Sequence, residues 1–251
     1  MGSKNTVDFT IPILIAEENI DGEIVLAYEG SGILFQHKGR HFILSVSHVF
    51  DRVNQQDGFH IPVATGMSNV NGRLHVDANF DVAVFEIEES HVLKFSNYSF
   101  LTESDLIHLH PDLPATYFLS GYPFDKISYV PKRSAINYTH LSGDIESHVE
   151  QSTKNQEQRH RSLYLKYPAD WPSRGLPHPR GLSGSGVWNK TPQGTMLSGI
   201  NEYFDGTDCI RAIRIHILVG ILNCSFGFQI PDPGFTQFKF TPRSESGTNQ
   251  H

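Results

Sequence analysis

Residues 181–188 read Gly-Leu-Ser-Gly-Ser-Gly-Val-Trp. Small residues let the backbone turn tightly here and bring its N–H groups close to a ligand. The apolar pair Val187-Trp188 then opens a strand. Ser183, at the centre, carries a hydroxyl that attacks a carbonyl once a base removes its proton. A Gly/Ser cluster on its own is most often a plain turn. The stretch gains chemical meaning only if a base and an orienting acid lie elsewhere in the chain, and the candidates are His48 and Asp81.

The nucleophile elbow of α/β-hydrolases is excluded. It needs Gly two residues before and two residues after the serine. Ser183 has Gly181 before it but Ser185 after it, and Ser185 has Ser183 before it.

Composition narrows the class. The chain has 251 residues, 38% hydrophobic and 19% charged, which suits a soluble globular protein with a sizeable core. The net charge of −7 gives no support for a nucleic-acid surface. No apolar run reaches the ~18 residues of a spanning helix. The first residues, Met1-Gly-Ser-Lys-Asn-Thr-Val-Asp8, lack the basic start and apolar core of a signal peptide. The expected compartment is therefore cytoplasmic, with no membrane partner. Cys209 and Cys224 are the two cysteines, and nothing in the sequence requires them to pair. His108 and His110 share a strand face if that segment is extended, but no second cluster completes a metal site. No metal and no cofactor are expected.

Short apolar runs divided by Gly, Pro and Asn turns predict about a dozen strands. They fall at 8–16, 23–28, 29–35, 41–46, 60–65, 73–76, 81–87, 115–121, 127–138, 163–167, 187–188 and 195–201. Residues 209–222 suit either a strand pair or a terminal helix. The polar stretch 143–161 reads as an exposed loop or a solvent-facing helix, and 241–251 as a frayed tail. Strands do not alternate with helices, so an all-β architecture of barrels or sandwich sheets is expected.

Four segments in order carry a resemblance. They are Gly30-Ser-Gly-Ile-Leu-Phe35, Phe42-Ile-Leu-Ser-Val-Ser-His-Val49, Asp81-Val-Ala-Val-Phe85 and Gly181-Leu-Ser-Gly-Ser-Gly-Val187. Together they resemble the chymotrypsin/trypsin-like serine proteases, above all the bacterial trypsin-like peptidases of the HtrA type. The resemblance implies two packed six-stranded β-barrels, about 8–115 and 116–225, with little helix. It implies serine endopeptidase activity on a polypeptide substrate. His48 is then the general base, Asp81 its orienting acid and Ser183 the nucleophile. The backbone N–H groups of Gly181 and Ser183 form the oxyanion hole. Ser198-Gly-Ile-Asn201 resembles the strand lining the primary specificity pocket, so Ser198, Gly199 and Ile200 are expected to bind substrate. Leu119-Ser-Gly-Tyr-Pro123 resembles the turn at the start of the second barrel.

Ser185 competes as nucleophile and Asp77 as acid. Ser183 alone has Gly at both minus two and plus one, and Asp81 alone has the apolar run behind it. The sequence departs from the family at three points. Leu182 stands where digestive members carry an Asp that pairs with a newly cut N-terminus. Gly186 replaces the usual proline, and no PDZ-like domain is expected after the last strand. N-terminal insertion is thereby disfavoured, leaving control by a protein activator or oligomerisation as an open alternative. The other function considered is a catalytically silent member of the fold used as a binding module.

Overall fold

The computed structural model describes residues 5–18, 20–53, 58–63, 66–107, 117–124, 127–130, 135–138, 141–145, 156–168, 170–171, 173, 178–206 and 208–228. His108, His110, segment 146–155 and the tail 241–251 lie outside them.

The first sheet holds β1 (Thr10–Glu18), β2 (Ile24–His37), β3 (Arg40–Ser45), β4 (Phe59–Val63), β5 (Gly66–Val70), β6 (Gly72–Asp77) and β7 (Val82–Ile87). Its order is β5-β4-β1-β2-β3-β7-β6. The two edge strands, β5 and β6, are separated in the chain by Asn71 alone, so the sheet curls until its edges meet at that residue. The sequence predicts separate strands at 23–28 and 29–35. They form one strand of 14 residues instead. Gly30-Ser31-Gly32 does not break the strand. It pairs in register with Ile13, Pro12 and Ile11, and the ladder's one register shift falls just before it, where Glu29 is the extra residue between the pairs Leu14–Tyr28 and Ile13–Gly30.

A second sheet runs β11-β8-β13-β14-β15-β12. Its strands are β8 (Tyr117–Gly121), β11 (Leu141–Ile145), β12 (Ser162–Lys166), β13 (Gly186–Thr191), β14 (Gly194–Phe204) and β15 (Cys209–Arg214). The single strand expected over 127–138 is a separate hairpin, β9 (Ile127–Val130) with β10 (Ala135–Tyr138). The helices are short: α1 (Glu89–Val92), α2 (Gln156–Arg161) and α3 (Ile215–Phe226). The architecture is mostly β, as expected. The first sheet has seven strands where six were expected.

The second sheet is buried on both faces, and the period-two alternation of its strands shows this. In β8, Tyr117 and Leu119 join one cluster while Phe118 joins the other. In β13, Val187 and Trp188 divide the same way. The larger cluster is continuous with the interior of the first sheet, through Ile33, Leu44, Val84 and Phe85. The two sheets therefore pack as one body.

Residues 209–222 resolve into a strand followed by a helix. Apolar density alone does not separate the two. Past Arg214 the buried positions Ile215, Leu218, Leu222 and Phe226 recur at helical spacing, and Gly227 ends the helix in the left-handed region at φ 70°. This face covers the first sheet, where Phe226 meets Phe42 edge to face at 5.2 Å. Among the described residues no helix is long and apolar enough to cross a membrane. Leu222 is fully buried. Truncating it to Ala is expected to cost about 2–5 kcal/mol, read as a fall in the urea midpoint without a change in slope.

Candidate active site

His48 lies in a 3-10 turn, Ser47–Phe50, directly after β3. Asp81 precedes β7, the neighbour of β3. Pairing of these two strands brings the ends that carry the two side chains together. The His48 ring donates through Nδ1–H to Asp81 Oδ2 at 2.8 Å. The other carboxylate oxygen, Oδ1, accepts from the His48 backbone N–H at 3.2 Å and from Ser47 Oγ. The Asp81 carbonyl accepts from the Ser47 N–H at 3.1 Å. Asp81 is thus fixed at three oxygens, and it holds φ at 50°, a left-handed conformation that Asp tolerates better than most residues. Strained backbone of this kind persists only where its surroundings over-determine it.

The pair has the electrostatics of a charge-assisted hydrogen bond. The bond to Asp81 holds the His48 imidazolium above its ordinary pKa, against the opposing pull of burial. Burial pushes the Asp81 carboxyl up, but the hydrogen bonds from His48 and Ser47 outweigh it and the net direction is down. With Nδ1–H committed to the carboxylate, the neutral ring presents Nε2 as a lone-pair acceptor.

The loop 181–185 stands on β2. The Ser31 N–H donates to the Ser183 carbonyl at 2.8 Å. Gly184 has φ 79°, and a Cβ there would fall 1.9 Å from the Ser31 carbonyl oxygen. Only glycine lets the loop sit this close. A Cβ on Gly30 would fall 2.9 Å from the Ser183 carbonyl oxygen and 2.5 Å from Val49 Cγ2, so Ser183 and the residue after His48 close round one point of β2. From the other side, Ser183 Oγ donates to the Glu202 carbonyl at 3.4 Å. Glu202 in turn feels the charges of both Asp81 and His48. The structure brings His48, Asp81 and Ser183 into one neighbourhood. Among the described residues, the hydrogen bond of Ser183 Oγ goes to Glu202 and not to His48.

Peptide orientation in the loop follows from where its carbonyls are tied. The Arg180 carbonyl accepts from the Phe124 N–H at 3.0 Å. The Leu182 carbonyl accepts from the Ser185 N–H at 3.0 Å and from Asn201 Nδ2 at 2.7 Å. In a trans peptide the N–H points opposite to the carbonyl. The Gly181 and Ser183 N–H groups therefore point away from these anchors.

Ser185, the rival serine, is fully buried against Gly121. Ser183 is half-buried. Asp77 lies in β6, paired with Val82, while Asp81 holds the histidine. Ser198, Gly199 and Ile200, expected to face substrate, are buried in β14, with Ile200 in the main core. The part of β14 hydrogen-bonded to the loop 182–185 is Asn201 and Glu202, of which Glu202 meets Ser183. β14 carries a register shift between Asn201 and Tyr203, where the loop meets it.

Three contributors were missed in the sequence. Ser47, directly before His48, donates through Oγ to Asp81 Oδ1. Glu202 is buried, paired with Arg211, and its carboxyl is pushed up by burial more than the guanidinium pulls it down. It lines a cleft of about 430 Å³ with Asp81, Phe80, Arg161, Tyr164 and Arg211. Asn201, also buried, ties the loop to β14. Among the described residues no group of three or more His, Cys, Asp or Glu is placed to hold a metal. Cys209 and Cys224 are free thiols.

No family model matches the sequence, and no curated protein matches it significantly.

The raised His48 value sets a sign for stability. The contribution of His48 is complete below the unfolded imidazole pKa, near ~6.5, and is lost as pH rises through the folded one. That of Asp81 is complete above its unfolded pKa and is lost as pH falls through its depressed folded one. NMR titration of the His48 ring should give a midpoint above ~6.5 in wild type. In Asp81→Asn the midpoint should drop, since burial then loses its main opponent and only the charges of Asp51 and Glu202 still act against it. An unchanged midpoint would detach the two residues.

Proposed function

We propose that the chain is a serine hydrolase of the trypsin-like type that cleaves peptide bonds in a polypeptide substrate. The supporting observation is the His48–Asp81 hydrogen bond at 2.8 Å beside a half-buried Ser183 on an anchored Gly-rich loop. In this reading the two sheets correspond to the two barrels of that fold.

Ser183 Oγ attacks the scissile carbonyl carbon while its proton passes to His48 Nε2. Asp81 keeps Nδ1–H in place and stabilises the imidazolium as it forms. The carbonyl oxygen, now negative, takes hydrogen bonds from the Gly181 and Ser183 N–H groups. Losing one such donor typically costs about 10²–10³ in turnover. His48 then protonates the leaving amine, the C–N bond breaks, and an acyl-Ser183 ester remains. Water, deprotonated by the same imidazole, hydrolyses that ester and restores the serine. Substrate binding has to bring Ser183 Oγ from the Glu202 carbonyl towards His48. Catalytic hydrogen bonds are often long in free enzymes and tighten on binding.

That same contact favours a second reading, a binding module with a silent triad, in which Ser183 Oγ stays on the Glu202 carbonyl. A fluorophosphonate probe separates the two. Under the protease reading, wild type and Ser185→Ala label, whereas Ser183→Ala and His48→Ala do not. Folded wild type that resists the probe would support the silent module. The raised imidazole adds a pH signature. The base must be neutral, so the acid limb of kcat/KM should have its midpoint above ~6.5 and move down in Asp81→Asn, whose turnover falls by about 10⁴.

A further inference from the structure

Tyr28 takes no part in the chemistry above, yet its hydroxyl sits at the junction on which the loop depends. It lies on β2 in the first sheet. Across the boundary, its hydroxyl reaches the Gly181 carbonyl oxygen at 2.6 Å and also the Tyr122 carbonyl oxygen. Ser31 Oγ is 3.1 Å away and accepts from the Tyr122 N–H at 3.2 Å. The protons balance. Ser31 Oγ accepts from Tyr122 and gives its own hydrogen to the Tyr28 oxygen, and the phenol shares its hydrogen between the two carbonyls. Burial raises the Tyr28 pKa far above the usual phenol range, so the group remains a donor at any working pH.

Both attachments bear on the same peptides. The Gly181 carbonyl belongs to the unit between the two N–H groups assigned to the oxyanion hole. The Tyr122 carbonyl lies two residues before Phe124, whose N–H holds the Arg180 carbonyl and so orients the Gly181 N–H. The ring itself also abuts Gly181, where a Cβ would fall 3.0 Å from Tyr28 Cε1. The residue before the nucleophile, Leu182, is fully buried in the apolar cluster with Leu119, Leu163 and Val187. It offers no carboxylate to an incoming amine.

We propose that Tyr28 is a positioning residue that latches the oxyanion loop from the first sheet, so that the loop backbone is set without N-terminal insertion or an activator. The inference rests on the serine-hydrolase reading and extends it to regulation. The latch acts through hydrogen bonds to carbonyls and touches neither substrate nor the His48–Asp81 pair.

The test uses the full chain with no partner added, as wild type, Tyr28→Phe and Ser183→Ala, with a fluorophosphonate probe and a chromogenic ester. Wild type should label unaided. Tyr28→Phe keeps the ring but loses the hydroxyl, and kcat and the labelling rate should both fall about 10–100-fold with KM nearly unchanged. The acid limb of its pH profile should stay in place, because His48 and Asp81 are untouched. A merely structural role would not give this split. Amide hydrogen exchange supplies a second readout independent of turnover. Exchange at Gly181–Ser183 should quicken in the variant while β13 and β14 keep their protection. Unchanged kcat and exchange in Tyr28→Phe would overturn the latch and leave the hydrolase reading standing. Wild type that labels only with a partner added would overturn the claim of self-assembly. Wild type as inert as Ser183→Ala would overturn the hydrolase reading and the latch with it.

Discussion

Ser31 is the residue through which the two sheets meet at the site. It is fully buried on β2 and uses every polar atom it has. Its N–H seats the Ser183 carbonyl, its carbonyl accepts from Ser45 Oγ at 2.7 Å, and its hydroxyl joins Tyr122 and Tyr28. Gly184 packs against its carbonyl with no room for a side chain. The Ser183 loop leads into the second sheet, but its position is set from the first. A buried polar hub of this kind is favourable only when fully satisfied, because each orphaned group would carry its whole desolvation cost. The Gly30-Ser-Gly32 of β2 and the Ser183-Gly-Ser185 of the loop are two halves of one contact.

The charged groups are arranged on the opposite side of Ser183. His48 and Asp81 form the tight pair, and Glu202 stands behind them with Arg211 as its own partner. The His48 side chain is 41% exposed and Asp81 24%, so the pair opens on solvent while Glu202 is enclosed. Glu202 being occupied by Arg211 matters for the histidine. An unpaired buried carboxylate nearby would compete with Asp81 for the imidazolium proton and loosen the ring's orientation.

Much of this was legible in the sequence because the relevant residues are local signals. Ser-His at the end of an apolar strand, Asp before another, and glycines around a serine each mark a strand terminus. Pairing of β3 with β7 then forces the first two together. The flanking glycines distinguish Ser183 from Ser185 in the sequence, and in the fold Ser185 is the fully buried one of the two. Less legible was anything set by pairing across the sheets. Tyr28 and Ser31 sit in an ordinary β-pattern, and only the three-dimensional seat shows what their hydroxyls hold. The contacts of Asn201 and Glu202 with the loop were not legible either, because a register shift in β14 between Asn201 and Tyr203 interrupts its alternation there. Residues 209–222 were ambiguous for a similar reason: a dense apolar run has no period of its own, and the helix follows from what Leu218 and Leu222 pack against.

The most direct measurement is a crystal structure of the protein after reaction with a phosphonate that mimics the tetrahedral intermediate. The account predicts one covalent bond, from phosphorus to Ser183 Oγ. It also predicts a phosphonyl oxygen within ~3 Å of both the Gly181 and Ser183 nitrogens. His48 should remain bonded to Asp81, and the loop backbone should be as it is in the free protein. An adduct on another residue, or a loop whose carbonyls have turned to face the phosphonate, would contradict it.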